Sequence, residues 1–448
     1  MCKKHTLVSI TVLRPVRLTL FAVIMAVVSS PPIVAQDFES GAVRLGLLNE
    51  PGYVPALVVS PIMADSNLAE FAGEVEEIVR RDLYLSDRFD IISVPDSLRS
   101  EGPPNYPLWN QLGAVWLVTS DVSGPVDSPI LRVALHDVVY GTLKSVQAFS
   151  LPETSADGFR MAVHRVTDEI VSWATDGEQG IAATRIAFRR GSNDGTWALW
   201  VIDSDGENAQ RISTGEFNVF SPAFSPDGSR IAYTIQDDLG YFTLLETNRI
   251  TRSQREIASS RLLLTPNYVP DGRLAYAQLV GSGAEVILEG VGQITDTRGD
   301  ALNPTFSPDG RRFAFEADPT GEPQVYVKPV VGGQPRRISV YVRNERTNAV
   351  GPDWSPDGSR IVYTAMNKGS FQIFTVNPDG TDRRMLTSRG QNEAPSWAPD
   401  GRHVVFESVD VRGRTIWILD TVTGRSRVLT SGQLDYLPDW SPPLPLGS

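Results

Sequence analysis

Beyond residue 35 the chain has three histidines, His136, His164 and His403, and no cysteine, its single cysteine being Cys2. Imidazole general-base chemistry or metal ligation would fall to these three, yet they are scattered and none belongs to a His-Glu-x-x-His spacing. A serine hydrolase needs a Gly-x-Ser-x-Gly elbow, and the chain has none. Gly281-Ser282-Gly283 is too short to read as a phosphate loop. The recurrent acidic feature is an Asp-Gly pair, at Asp227-Gly228, Asp271-Gly272, Asp309-Gly310, Asp357-Gly358 and Asp400-Gly401. Calcium needs several oxygens converging on one point. One carboxylate per pair is better explained by a turn in which aspartate bonds its own backbone and glycine accepts positive φ. The expectation is a protein that works by binding: no catalytic residue, no metal and no cofactor, with His164 on a helix in a packing or surface role.

The Asp-Gly pairs sit inside a larger repeat. Proline, any residue, an aromatic, a small or β-branched residue and proline recur at Pro222–Pro226, Pro266–Pro270, Pro304–Pro308, Pro352–Pro356, Pro395–Pro399 and Pro438–Pro442. The second prolines are 44, 38, 48, 43 and 43 residues apart, close to the period of about 40–45 of a four-stranded propeller blade. After each of the first five corners comes an apolar strand such as Arg230–Tyr233, Arg312–Phe315 or Arg360–Tyr363. Alternating strands such as Leu199–Ile202, Gln324–Val327 and Thr415–Ile418 follow, then last strands such as Arg211–Ser213, Arg337–Ser339, Met385–Thr387 and Val428–Thr430. Before the first corner stand three blade strands without a leading one, Arg185–Phe188, Leu199–Ile202 and Arg211–Ser213. A strand around Trp440 supplies the missing member and closes a ring of six blades, which removes exposed sheet edges. The propeller is placed at 181–443, with 444–448 as a tail.

Residues 42–180 have another texture, read as an α/β domain. Ser66 is the expected cap of a helix with Leu68, Phe71, Ala72, Val75, Ile78, Val79 and Leu83 at helical spacing. A second helix, from about Ala156, carries Phe159, Val163, Val166, Ile170 and Trp173. Strands are expected around 56–60, 90–94, 114–120, 131–139 and 143–149. Ahead of this domain, Lys3, Lys4, Arg14 and Arg17 precede an apolar run of 11 residues, Leu18–Val28, and Ser29-Ser30-Pro31-Pro32 breaks it. The run is too short to span a bilayer, so 1–35 reads as a cleaved signal peptide and 36–41 as the start of the mature chain. The net charge is −12, and loss of the basic leader makes the remainder more acidic. Nucleic acid and anionic lipid are therefore poor partners.

The corner motif, the domain order and the junction Ala162-Val163-His164-Arg165-Val166-Thr167-Asp168-Glu169-Ile170, Gly180 and Thr184-Arg185-Ile186-Ala187-Phe188 together resemble the TolB family of the Tol-Pal system. The resemblance implies an N-terminal α/β domain followed by a six-bladed propeller, acting in the periplasm as a monomeric adaptor without enzymatic activity or small-molecule substrate. It implies binding of the peptidoglycan-associated lipoprotein Pal through loops before the blade-opening prolines. Those loops hold Phe217, Phe220, Leu262, Thr265, Leu302, Asn303, Tyr341, Arg343, Asn344, Glu345, Arg346, Asn392, Glu393, Asp435 and Tyr436. It also implies contact of the inner-membrane protein TolA with the mature N-terminus, here Gln36, Asp37, Phe38 and Glu39. Other outer-membrane proteins are further candidates, and in systems with colicins the same face is captured during toxin import. The implied role is maintenance of the outer membrane and its invagination during division. Two other readings stand beside it: a propeller that binds a glycan or other small ligand in its channel, and a peptidase-associated propeller.

Overall fold

The protein is described by a computed structural model over residues 53–93, 103–192, 194–213, 218–340, 347–410, 413–432 and 434–444. The expected leader, 1–35, and the segment 36–41 lie outside the described residues.

The first elements build a small layered α/β unit. Strands β1 (Ala56–Val59), β2 (Met63–Ala64), β3 (Asp90–Ile92), β4 (Trp116–Ser123), β5 (Ile130–Asp137) and β6 (Thr142–Ser150) form one sheet in the order β3-β1-β4-β5-β6, with β2 beside β4. The pairs around β1 are parallel and β4-β5-β6 antiparallel. Helices α1 (Ala69–Leu85) and α3 (Phe159–Ala174) bury their apolar stripes against the alternate residues Leu57, Val59, Val118, Leu131 and Val133, with the Phe71 and Phe159 rings 5.6 Å apart. Ser66 does not cap α1: the helix begins two residues later behind Leu68, whose amide donates to the Asp65 carbonyl and whose side chain is buried. The sequence reading contained no counterpart of α2 (Tyr106–Gln111), a short helix with proline in its first turn, capped by Asn105 and anchored by Trp109 against Val58 and Leu117.

Six four-stranded sheets follow, each ordered from first strand to last. Blades I to V open with Asn218–Phe224, Leu263–Tyr268, Ala301–Phe306, Ala349–Trp354 and Gln391–Trp397. Blade VI is completed across the chain: Asp435–Trp440 pairs antiparallel with Arg185–Gly191, which pairs with Trp197–Asp203. Beyond the ladder, Arg185 and Ser441 exchange backbone and hydroxyl bonds at 2.9 Å, and Trp440 Nε1 donates to Thr184 Oγ1 at 2.8 Å.

The last strands are shorter than the sequence pattern suggests, two residues at Gln210–Arg211, Arg336–Arg337 and Arg384–Met385. One reason repeats around the ring. The hydroxyls of Ser213, Thr295, Ser339, Thr387 and Thr430 accept the amides of Leu199, Val286, Val325, Ile373 and Ile416 at 2.8–3.1 Å. A side chain thus takes over a ladder bond, and the strand peels away while its apolar neighbour turns inward.

The corners behave as expected in blades I, III and IV. Asp227, Asp309 and Asp357 each accept a serine hydroxyl at 2.6 Å and the amide two residues on at 3.0 Å, ahead of a left-handed glycine. Blade V departs from this because Ala398 stands where the others have serine. There Asp400 accepts the amides of Arg402 and His403 at 2.9 and 3.0 Å through Oδ1, and through Oδ2 it holds His403 Nδ1 at 2.7 Å and faces Arg88 of the α/β unit at 3.5 Å.

Two further fastenings join the unit to the ring. Asp168 of α3 accepts the amides of Ala182 and Ala183 at 2.8 and 2.9 Å, and a Cβ on Gly180 would fall 2.1 Å from its carboxylate. His164, also on α3 and fully buried, holds Asp82 of α1 at 2.7 Å through Nδ1 and faces Asp203 of blade VI at 3.8 Å through Nε2. Burial by itself pulls the imidazole pKa down, but the Asp82 charge and the contacts to Asp203 and Asp82 push it up to about 10. His164 is thus a buried cation shared between the two layers, the packing role expected of it with a charge added.

Two outcomes follow. Gly180→Ala forces the linker off Asp168 and should destabilise the chain by about 1–3 kcal/mol in thermal or urea unfolding, as overpacked sites do. Because the folded pKa of His164 is raised, its contribution is complete below the ordinary histidine range and fades as pH climbs towards 10. His164→Asn should therefore lose about 3–5 kcal/mol at neutral pH, and the gap to wild type should narrow in urea titrations at alkaline pH.

Candidate partner-binding face

The Pro-x-aromatic motif dictates the geometry of the propeller axis. In each opening strand the residue before the first proline is left-handed: Ser221, Thr265, Asn303, Gly351, Ala394 and Leu437 have φ of 42, 50, 51, 56, 49 and 51°. Only one is glycine, so five side chains are held in a conformation that costs each on the order of 1 kcal/mol. At each of these points the ladder breaks register, for example between Phe220 and Ala223 or Tyr436 and Asp439. Proline brings no amide to the interrupted ladder, so the bulge leaves one fewer donor to satisfy. The amides of the left-handed residues are caught by second strands or the neighbouring blade: Gly351 by Glu316 at 3.3 Å, Ala394 by Thr364 at 3.1 Å, Leu437 by Glu407 at 2.8 Å and Asn303 by Thr265 at 3.0 Å.

In four of the six blades the residue after the first proline ties one blade to the next. Thr305, Asp353, Ser396 and Asp439 accept the amides of Trp354, Trp397, Trp440 and Phe224 at 2.7–3.2 Å. These bonds form a belt around a cavity of about 100 Å³ on the axis, lined by the six prolines and their neighbours, Asp353 and Asp439 among them. Both carboxyls are pushed up, Asp439 to about 8, by burial and, for Asp439, by the charge of Asp353. At neutral pH Asp439 holds its proton and the axis carries less negative charge than its composition suggests.

The opening strands start on the side of the ring away from the α/β unit. Asp435 and Tyr436 pair with Arg190 and Arg189, whereas Trp440 pairs with Ile186 beside the linker, and corner residues Asp400 and Arg402 meet Arg88 and Asp87. The described residues among those named from sequence therefore share one face. Phe220, Leu262, Thr265, Leu302, Asn303, Glu393 and Tyr436 are partly buried there. Asn392 and Asp435 are buried and committed within the chain. Asn392 donates to Gln372 and the Arg389 carbonyl, and Asp435 accepts a two-pronged bond from Arg190 at 2.7 and 2.9 Å. Their place before the proline signalled position, while burial depended on partners in other strands, 20 residues away for Asn392 and 245 for Asp435. Phe217, Tyr341, Arg343, Asn344, Glu345 and Arg346, like Gln36, Asp37, Phe38 and Glu39, lie outside the described residues. Sequence reasoning missed Arg189, Trp197 and Arg414, which come from second and third strands and crowd the same rim. The Arg189-Arg190-Gly191 break at the end of an apolar strand was the available signal.

Two other groups bring histidine and aspartate together among the described residues, Asp82/His164/Asp205 and Asp87/His403/Asp420. Their outer carboxylates are already committed, Asp205 to Arg160 and Arg81 and Asp420 to Arg402. Both are charge networks between the α/β unit and the ring. The third histidine, His136, bonds Tyr106 and Thr119 at 3.0 Å, and burial pulls its pKa down.

Fold and face together define a six-bladed propeller closed by its last strand, with an α/β unit fastened to one side and a rim of interrupted strands on the other. A family model described as the TolB beta propeller domain matches residues 174–444, and one described as the TolB amino-terminal domain matches 54–143. The chain belongs to the TolB family. A Tol-Pal system protein TolB from a Polaromonas species is 35% identical over 174 residues, 37% of this chain and 40% of that one. Another from Bordetella parapertussis is 32% identical over 287 residues, 59% of this chain and 63% of that one. The matched stretches thus span less than two thirds of these relatives' length. The crystal structure of TolB from Acinetobacter baumannii superposes with a TM-score of 0.76 at 22% identity, over 88% of this chain and 98% of that one, and shares its fold.

The raised Asp439 has a checkable sign. The unfolded chain releases this proton in the ordinary carboxylate range and the folded one only near 8, so stability falls as pH climbs between the two. Asp439→Asn should remove that fall, leaving its urea midpoint closer to wild type at pH 5 than at pH 8.5, where the variant should be the more stable.

Proposed function

We propose that this protein is a periplasmic adaptor of a Tol-Pal system. Its propeller face binds a Pal-type lipoprotein, and the segment Gln36–Glu39 contacts a TolA-type inner-membrane protein. Through these contacts it maintains the outer membrane and draws it inward at division, and colicin or protein import can exploit the same face. The observation that carries the reading is the family membership combined with a face built of six interrupted strands, whose rim mixes aromatic, aliphatic, amide and charged side chains. Such mixture suits protein docking. Among the described residues no helix is long and apolar enough to cross a membrane, in keeping with an exported chain that works between two membranes.

The small-ligand reading finds less support. Ligand pockets enclose roughly 300–1,000 Å³ with apolar and aromatic walls, whereas the axial cavity is about 100 Å³ and lined by prolines and short side chains. A peptidase-associated role would require a hydrolase elbow, which the sequence lacks.

The direct test is capture from a detergent-solubilised envelope of the source organism, followed by calorimetry with the soluble domain of its peptidoglycan-associated lipoprotein. Wild type should retain that lipoprotein. Leu437→Arg, which changes the rim while keeping a non-glycine residue at the left-handed position, should weaken the complex at least tenfold. A folded wild-type chain that retains no envelope protein would remove the Pal assignment and bring the channel ligand forward.

A further inference from the structure

Arg189 is an anomaly on this face. Its guanidinium carbon lies 3.9 Å from the centre of the Trp197 ring, 4.7 Å from Phe220 and 5.7 Å from Tyr436. The rings also support one another: Trp197 meets Tyr436 edge-on at 5.2 Å, and Phe220 lies 5.8 Å from Phe242. Gly191 makes room for this arrangement, since a Cβ there would meet the Trp197 ring at 2.9 Å.

Among the described residues Arg189 has neither an ion pair nor a hydrogen-bond partner, and its Nε is buried and unsatisfied. Its neighbours are treated differently. Arg190 is bound to Asp435. Arg414, stacked 4.7 Å from the other side of the network on Tyr436, is paired with Glu407 and Glu393. Glu407 also accepts the Leu437 amide at 2.8 Å, so the acid closest in charge to Arg189 is already occupied.

A guanidinium needs five N–H groups satisfied, and aromatic walls stabilise its charge without accepting those bonds. The walls also strip water and fix the plane of the group, which favours a two-pronged bond to an incoming carboxylate. Arginine and aromatic side chains of this kind anchor protein interfaces. Arg189 remains partly exposed, on the face that holds Phe220, Glu393 and Tyr436.

We propose that Arg189, framed by Trp197, Phe220 and Tyr436, is the receptor for an aspartate or glutamate side chain of the protein that docks on this face. The identity of that partner rests on the reading under Proposed function, whereas the carboxylate chemistry rests on the unpaired guanidinium. A purely structural arginine would be replaceable by an apolar side chain of similar length with no effect beyond stability.

The test uses the mature full chain and two probes. With the soluble lipoprotein domain, Arg189→Met, which keeps a long side chain among the rings, should raise Kd at least tenfold and flatten its salt dependence, with an unchanged circular dichroism spectrum. Arg189→Lys should fall between Met and wild type, because it keeps the charge but not the two-pronged geometry. At low ionic strength hexaglutamate should saturate wild type, read as a change in tryptophan fluorescence that Trp197→Phe abolishes, whereas hexaglutamine should not. Saturation by hexaglutamate without binding of the lipoprotein would discard that partner and keep the carboxylate site. Wild type that ignores hexaglutamate, or Arg189→Met that binds the lipoprotein with unchanged Kd, would overturn the proposal.

Discussion

Closure of the ring is the constraint on which everything else depends. Residues 435–440 must find residues 185–191 across the length of the propeller, and until they do blade VI lacks its inner strand. The same contact organises both sides of the molecule. Towards the α/β unit it sets Ser441 and Leu444 beside the linker, where the Leu444 amide reaches the Ala183 carbonyl at 3.1 Å and its carbonyl accepts from Arg165 of α3. Towards the opposite face it sets Tyr436 against Arg189 and Arg414. A long loop must close before this pairing yields any stabilisation.

Within that frame the repeat has been modified locally to serve the assembly. Corners whose aspartate bonds a serine are self-contained turns. In blade V, where alanine stands in place of that serine, Asp400 joins the interface with the α/β unit, alongside His403, Arg88 and Arg402. Burial alone would lower the pKa of His403, but the charge of Asp400 and the contacts to Asp400 and Asp87 raise it, so a second imidazole beside His164 links the two layers. The unit is thus fastened by charge as well as by covalent linkage. Such networks confer definite geometry because each buried charge has few acceptable partners.

Much of the architecture was legible because the signals were local. Blade period, turn chemistry and the apolar stripes of α1 and α3 each depend on residues within one turn or strand. The junction segment was legible as a pattern, and the structure supplies its cause: Asp168 needs the amides of 182 and 183, and only glycine fits at 180. The misplaced cap at Ser66 and the overlong outer strands share a different cause. In each, a nearby side chain or turn replaced a backbone bond that pattern alone would assign to the element.

By itself the sequence determined the number of blades, their corners, the strand that closes the ring and the face on which the pre-proline residues lie. These follow from chain stiffness, turn residues and alternation, which act over a few residues. Only the tertiary structure decided which of those residues remain available, turning Asp435 and Asn392 inward while leaving the Arg189 guanidinium, among three rings, without a hydrogen-bond partner among the described residues. It also decided the protonation of Asp439 and His164, because both depend on burial and on charges contributed by distant parts of the chain. Availability and charge state are properties of surroundings, and those surroundings exist only once the ring has closed.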